Sequence, residues 1–386
     1  PNPNPNPNPD LGPNPNPNPN LSLSMSLKDD LGLDVGGAEA EAGSMDRIAG
    51  VAVLSAVPML WGTYAPAVRT IYNLPTPPPS VLLNSLSLSV SFAALSTALT
   101  LTRAANPNPN PNADPSADPN PSAASADPSL ATTLRYGFEL GLYLFMGSSI
   151  QLLGLEKTTA TAAGFIVQLT TIIVPALEAA RGRRPPDSIF AASALALAGV
   201  TLLALQGDAA GGAIDADAVT GDLLILVSAG FYSMHVVRLG QIAKQIAPTP
   251  LAVAKSLSQF TLSLVSIGGA LLFGSPELRD SLGTYLNPAT SPLLAGGDEA
   301  KVVPLVVLWN GAAVSACVTW AQSFGQRRVD ASLASVLYST QPLFSAGFAY
   351  LALGETVNQT GAVGVALLLA AIGLALDPFS KEKGAT

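Results

Sequence analysis

Charge is scarce in this chain of 386 residues: only 11% are Asp, Glu, Lys or Arg, whereas 48% are hydrophobic. An ordinary soluble globule carries about 25% charged residues, so the composition excludes one. Cysteine and histidine are nearly absent, with Cys317 and His235 the only examples. That excludes a disulfide framework, a structural zinc site and a di-histidine metal centre, and neither metal nor cofactor is expected. Basic residues are outnumbered, and a net charge of −8 offers no footprint for nucleic acid. No G-x-x-x-x-G-K-[ST] phosphate loop occurs, which argues against ATP-driven pumping, and no G-x-S-x-G nucleophile motif occurs either.

What is present falls into two kinds of segment. Residues 1–20 are almost pure Pro-Asn repeat, and 104–129 repeat the theme with Asp, Ala and Ser. Proline fixes φ and removes a donor, and neither segment has apolar surface to bury. The reading is therefore a disordered tail over 1–46 and a disordered insert at 104–129. The chain begins at Pro1, so a native N-terminus and any targeting peptide are expected to be missing from it.

The remainder is built from long apolar runs. A helix needs about 20 apolar residues to cross a hydrocarbon core of about 30 Å. Ten runs qualify, at 48–69, 80–102, 136–156, 159–180, 188–206, 220–240, 251–273, 303–324, 332–353 and 359–376. Most are continuous and do not alternate, so they read as helices and not barrel strands. With the N-terminus inside, 13 Lys or Arg residues fall in inner segments and 4 in outer ones, with Lys255 inside a span. The positive-inside rule favours that topology, with both termini on the inner side.

The chain also matches itself. At an offset of 171 residues, Gln151-x-x-Gly154 falls on Gln322-x-x-Gly325, and Leu60-Trp61-Gly62 on Phe231-Tyr232-Ser233. Five spans per copy is an odd number, so the second copy enters the membrane inverted. The expected fold is an all-α membrane protein of ten transmembrane helices in two inverted five-helix repeats, 47–206 and 220–377. A connecting loop at 207–219 joins the repeats, and a tail follows at 378–386. Inverted repeats of this kind suit alternating access in secondary transporters.

Several motifs now carry a resemblance. They are Leu60-Trp61-Gly62, Gly221-Asp222, Ala331-Ser332-Leu333-Ala334-Ser335, Gln341-Pro342 and Leu351-Ala352-Leu353-Gly354-Glu355. In their order and spacing the chain resembles the EamA family of the drug/metabolite transporter superfamily over about 47–377. The resemblance implies a ten-helix carrier of small metabolites. Arg183-Arg184 stands where the first copy would carry a Gly-Glu pair, and the 104–129 insert is a further departure.

Candidate site residues lie where polar groups enter apolar helices. Thr161, Gly164, Gln168, Thr171 and Pro175 form one stripe, matched by Ser332, Ser335, Ser339, Pro342 and Ala346 with Tyr338 and Gln341 alongside. Small residues in such stripes read first as helix seams, whereas Gln168 and Gln341 point to a polar cavity. Trp61, Asn310, Tyr338 and His235 complete the expected substrate-binding set. Glu139 is the candidate for proton coupling and Glu355 for a gate at the outer end of its span. Each ionisable group has a structural alternative. Glu139 can pair with Arg135 one turn earlier, Lys255 can snorkel to the inner interface, and His235 can sit neutral in the bundle.

The reading that follows is a secondary transporter of a small organic metabolite, driven by proton coupling or exchange. Its partners would be that solute, the lipid bilayer and, as a candidate, a second copy of the chain. A non-transporting receptor or scaffold and an intramembrane enzyme are the alternatives. Plasma membrane, endomembrane and plastid envelope all remain open.

Overall fold

A computed structural model of the protein describes residues 35–72, 74–105, 129–155, 157, 160–205, 216–344, 347–348 and 359–376. The Pro-Asn repeat, most of the insert, residues 207–215 of the connecting loop, Glu355 and the C-terminal tail lie outside the described residues. Two units are distinguished, Pro1–Ile48 and Ala49–Thr386. In the first, the described residues are helical from Val35. The sequence reading placed 35–46 in a disordered tail. Alternating Ala and Glu over 38–42 are strong helix formers and outweigh Gly36 and Gly37.

The regular structure of the described residues is all helical. Six helices are long and apolar enough to cross a membrane: Gly43–Tyr64, Ser80–Ala105, Val219–Ile242, Pro248–Phe273, Asp298–Gln326 and Gln359–Leu376. They belong to α1 (Val35–Tyr72), α2 (Ser80–Ala105), α7 (Ala216–Ile242), α8 (Pro248–Phe273), the α10–α11 run and α13 (Gln359–Leu376). The other four expected spans take different forms. Helix α3 (Leu130–Leu155) is long, but Arg135, Glu139 and Gln151 make it more polar than those six. Helix α6 (Asp187–Leu205) supplies a shorter apolar segment, Asp187–Leu202.

The remaining two spans are broken. Residues 159–180 divide into α4 (Ala160–Val167) and α5 (Thr170–Ala180), with a turn at Gln168 and Leu169. In the other copy, α12 (Ala331–Tyr338) ends at a turn of Ser339 and Thr340, after which 341–344 are helical again. The two turns are 171 residues apart. Shorter-range bonds tighten both, Thr171 N to Gln168 O at 3.0 Å and Thr340 N to Leu337 O at 3.2 Å. Pro342 explains the second break, because it has no N–H for the carbonyl of Tyr338. The first precedes the β-branched run Thr170 to Val174, a weak helix former.

The helix of 298–326 is irregular too. Between α10 (Asp298–Leu308) and α11 (Val318–Gln326) the backbone widens into a π-helical stretch, Trp309–Cys317. An outer helix that the sequence reading did not place, α9 (Pro276–Leu286), is capped by Ser275, whose side chain accepts from Leu278 N. Its Tyr285 donates to the carbonyl of Thr76, and Thr76 Oγ1 donates to Glu299 Oε1 at 2.9 Å.

Packing brings equivalent parts of the two copies together. Helix α2 lies along α8, α6 along α13, and α5 against α12. Helix α3 packs on α8, and its equivalent, the π-helical stretch, packs on α2. Small residues permit those last approaches. A Cβ at Gly141 would lie 2.6 Å from Ser258 Cβ, and one at Gly311 would lie 2.6 Å from the carbonyl oxygen of Ser87. Ser87 and Ser258 are themselves 171 residues apart.

Candidate functional site

The broken helices and the π-helical stretch present polar groups inside an apolar bundle. Gln168 sits at the first break and is buried, and Thr171 one turn on is wholly buried. Tyr338 is the last residue of α12, immediately before the second break. Its ring meets Trp61 of α1 edge to face, with centroids 5.3 Å apart at 63°. Asn310 is buried in the first turn of the π-helical stretch, where Trp309 Nε1 donates to Thr63 Oγ1 at 3.0 Å. Gln341 follows the second break and is partly buried. Among the described residues, no hydrogen bond joins Gln168, Asn310 or Gln341 to the Trp61–Tyr338 pair.

Several of these groups are buried without a partner. Thr171 Oγ1, His235 Nε2, Asn310 Oδ1, Gln326 Oε1 and Tyr338 Oη have no hydrogen-bond partner among the described residues. Tyr338 Oη faces Gln322 without reaching ordinary bond geometry. An unsatisfied polar group in an apolar surrounding costs about 1–3 kcal/mol. Five such atoms therefore mark places where water or a polar solute completes the bonding.

The ionisable candidates are placed differently. Glu139 is bonded to Arg238 of α7, not to Arg135, through Nε to Oε1 at 2.5 Å and Nη2 to Oε2 at 2.8 Å. His235 is buried and lies within electrostatic reach of Lys255. Lys255 does not snorkel: its side chain is wholly enclosed. Among the described residues, no three His, Cys, Asp or Glu side chains group as a metal site requires.

Two polar residues were not singled out from the sequence. Glu178, near the C-terminal end of α5, accepts from both the backbone N–H and the hydroxyl of Ser332. Asp330 makes no side-chain cap on α12, so Glu178 places a carboxylate at that helix's N-terminus from another span. Gln326 is also wholly buried, and its Nε2 donates to the carbonyl of Val236 at 3.3 Å. Glu178 hides in sequence beside Arg181, Arg183 and Arg184, where an acid reads as interfacial. The paired Gln151 and Gln322 of the repeat were the available signal that glutamines matter in this region.

Residues 219–376 match the model of the EamA-like transporter family. A stretch of 127 residues is 30% identical to an uncharacterized transporter of Archaeoglobus fulgidus, covering 33% of this chain and 39% of that protein. The chain thus spans about two fifths of that relative's length. A solved crystal structure aligns over 89% of this chain and 99% of its own, with a TM-score of 0.62 and 18% identity, which shows a shared fold. The EamA resemblance read from the motifs holds over 219–376. With its six apolar helices, the chain is an integral multi-pass membrane protein of the transporter kind.

Proposed function

We propose that this EamA-like chain is a secondary carrier of a small organic metabolite, working by alternating access between two inverted five-helix halves. One observation carries the reading: two spans 171 residues apart are interrupted at the same register, each beside candidate substrate-binding residues. Discontinuous helices near the midplane, in corresponding positions of two halves, are where carriers of inverted-repeat design bind their cargo. The packing of α2 on α8, α6 on α13 and α5 on α12 supports a two-fold relation between the halves.

In this reading Gln168, Asn310, His235, Tyr338, Gln341 and Trp61 contact the solute. The indole and phenol rings supply apolar area, and the unsatisfied amide, hydroxyl and imidazole atoms supply orientation. Two contacts then act as inner latches. Glu139–Arg238 joins span three to span six, and Glu178–Ser332 joins span four to span nine. Both lie near inner helix ends, so opening to the inside breaks them and closure re-forms them. Protonation of Glu139 would release Arg238 and couple opening to a proton. Glu355 would close the outer side.

The test is uptake into proteoliposomes containing the purified full chain, screened with a panel of labelled amino acids and organic acids. Saturable flux of at least one solute, above that of empty vesicles, is the expected result. A folded preparation that moves none of the panel, or reporter tags that place the two termini on opposite faces, overturns the reading.

A further inference from the structure

Lys255 lies seven residues into α8, about 10 Å along the helix axis from its start. Its side chain is fully buried. An ammonium so placed ordinarily has a carboxylate partner, because an uncompensated charge in a low-dielectric interior is costly. Among the described residues, no carboxylate lies within 4.0 Å of its Nζ. Its one hydrogen bond there is a long one, 3.5 Å to Ser323 Oγ. That hydroxyl's own hydrogen goes to the carbonyl of Thr319 at 2.8 Å. The nearby acids are engaged elsewhere, Glu139 with Arg238 and Glu178 with Ser332.

Two other incomplete groups share this region. His235 faces Lys255 electrostatically from α7, and its Nε2 lacks a partner. Gln326 is held to the carbonyl of Val236, the residue after His235, and its Oε1 lacks a partner. The cluster therefore has one full positive charge and uncommitted imidazole and amide groups beside it, but no anion.

We infer that Lys255 receives the carboxylate of the transported solute, with His235 and Gln326 engaging a polar group next to it. The inference rests on the carrier reading and narrows its cargo to small organic acids or amino acids. A carboxylate matches the single ammonium in charge. A phosphate monoester carries nearly two negative charges and would leave one uncompensated, and no arginine fork stands by to take it. The headgroup of phosphatidylserine offers the same carboxylate, so the lipid must be tested separately.

The experiment uses the full chain in nanodiscs of phosphatidylcholine alone. Pyruvate, butyrate and benzoate are each compared with their methyl esters, with binding followed as a rise in Tm. At least one acid should raise the Tm while its ester does not. Lys255→Met should weaken that acid about tenfold or more, and Lys255→Arg should retain part of the affinity. Without any acid, Lys255→Met should melt above the wild type, since it removes an uncompensated buried charge; a lysine with a purely structural pairing gives the opposite sign. The inference is overturned if the esters bind as well as the acids, if none of the three acids binds, or if the acid effect survives in Lys255→Met. It is also overturned if only added phosphatidylserine raises the Tm. Should Lys255→Met fail to fold, the acid–ester comparison on wild-type protein decides alone. Uptake measured in parallel separates the two readings. Acid binding without any flux keeps the anion site and removes the carrier, whereas flux of neutral solutes without acid binding does the reverse.

Discussion

The Glu139–Arg238 pair should be worth measurably more than a surface ion pair, and its energy can be isolated. Two parallel bonds of 2.5 and 2.8 Å join the groups, and Arg238 Nη1 also donates to Gln241 Oε1 at 2.8 Å. The side chains are 27% and 29% exposed for Arg238 and Glu139, respectively. Exposed pairs contribute about 0–1 kcal/mol, whereas removing one partner of a buried pair costs about 3–5 kcal/mol. At this intermediate burial Glu139→Gln should cost about 2 kcal/mol, because it leaves a guanidinium without its carboxylate. Arg238→Gln should cost a similar amount. The double variant should cost less than their sum, with a coupling of about 1–2 kcal/mol. Reversible unfolding by SDS titration, followed by tryptophan emission on all four proteins, measures this. A coupling below about 0.5 kcal/mol, the level of an exposed helix pair, would refute the reasoning. The same variant tests the coupling role: if Glu139→Gln leaves both uptake and its pH dependence intact, Glu139 does not couple a proton.

Four further outcomes are expected. Ser332→Ala removes one of the two bonds to Glu178 and should cost about 1–2 kcal/mol in the same titration, whereas Ser335→Ala, whose hydroxyl bonds within its own helix, should cost less. Gly141→Leu drives a side chain into Ser258 and the carbonyl of Lys255, where a Cβ already falls at 2.6 and 2.7 Å, so its yield of monodisperse protein should collapse, while Gly268→Leu, with open space around it, should not. Gln168→Leu and Gln341→Leu should raise KM for the transported solute severalfold with little change in Tm, read by uptake kinetics and thermal melts. Burial first, then the Glu299 carboxylate, raises the pKa of Tyr285 in the outer helix, against the bond to Thr76. Its stabilisation is therefore present below about pH 10 and lost as pH rises through the raised value, so Tyr285→Phe should shrink the fall in Tm between pH 9 and pH 12.

Some of the site was legible in the linear chain and some was not. Gln168, Asn310, His235 and Tyr338 stood out because a polar group in an apolar run is conspicuous wherever it occurs, and all four are buried. Pro342 announced a weakness in its helix, since a missing N–H is a property of the residue itself. The break at Gln168 gave no such signal, because the apolar run continues through it. The partner of Glu139 was misjudged for a related reason. Spacing along one helix offers Arg135, but Arg238 comes from 99 residues away. Lys255 had a local escape to the interface, and the surrounding helices enclose its side chain instead.

Hydropathy, charge bias and self-similarity are sums over neighbouring residues, so the sequence alone determined a helical membrane protein with a 171-residue repeat and a resemblance to EamA carriers. Which buried polar group finds a partner depends on residues tens to hundreds of positions apart meeting in three dimensions. Only the tertiary structure could therefore decide that Glu139 is neutralised, that Glu178 caps a distant helix, and that the ammonium of Lys255 is enclosed with no carboxylate beside it among the described residues.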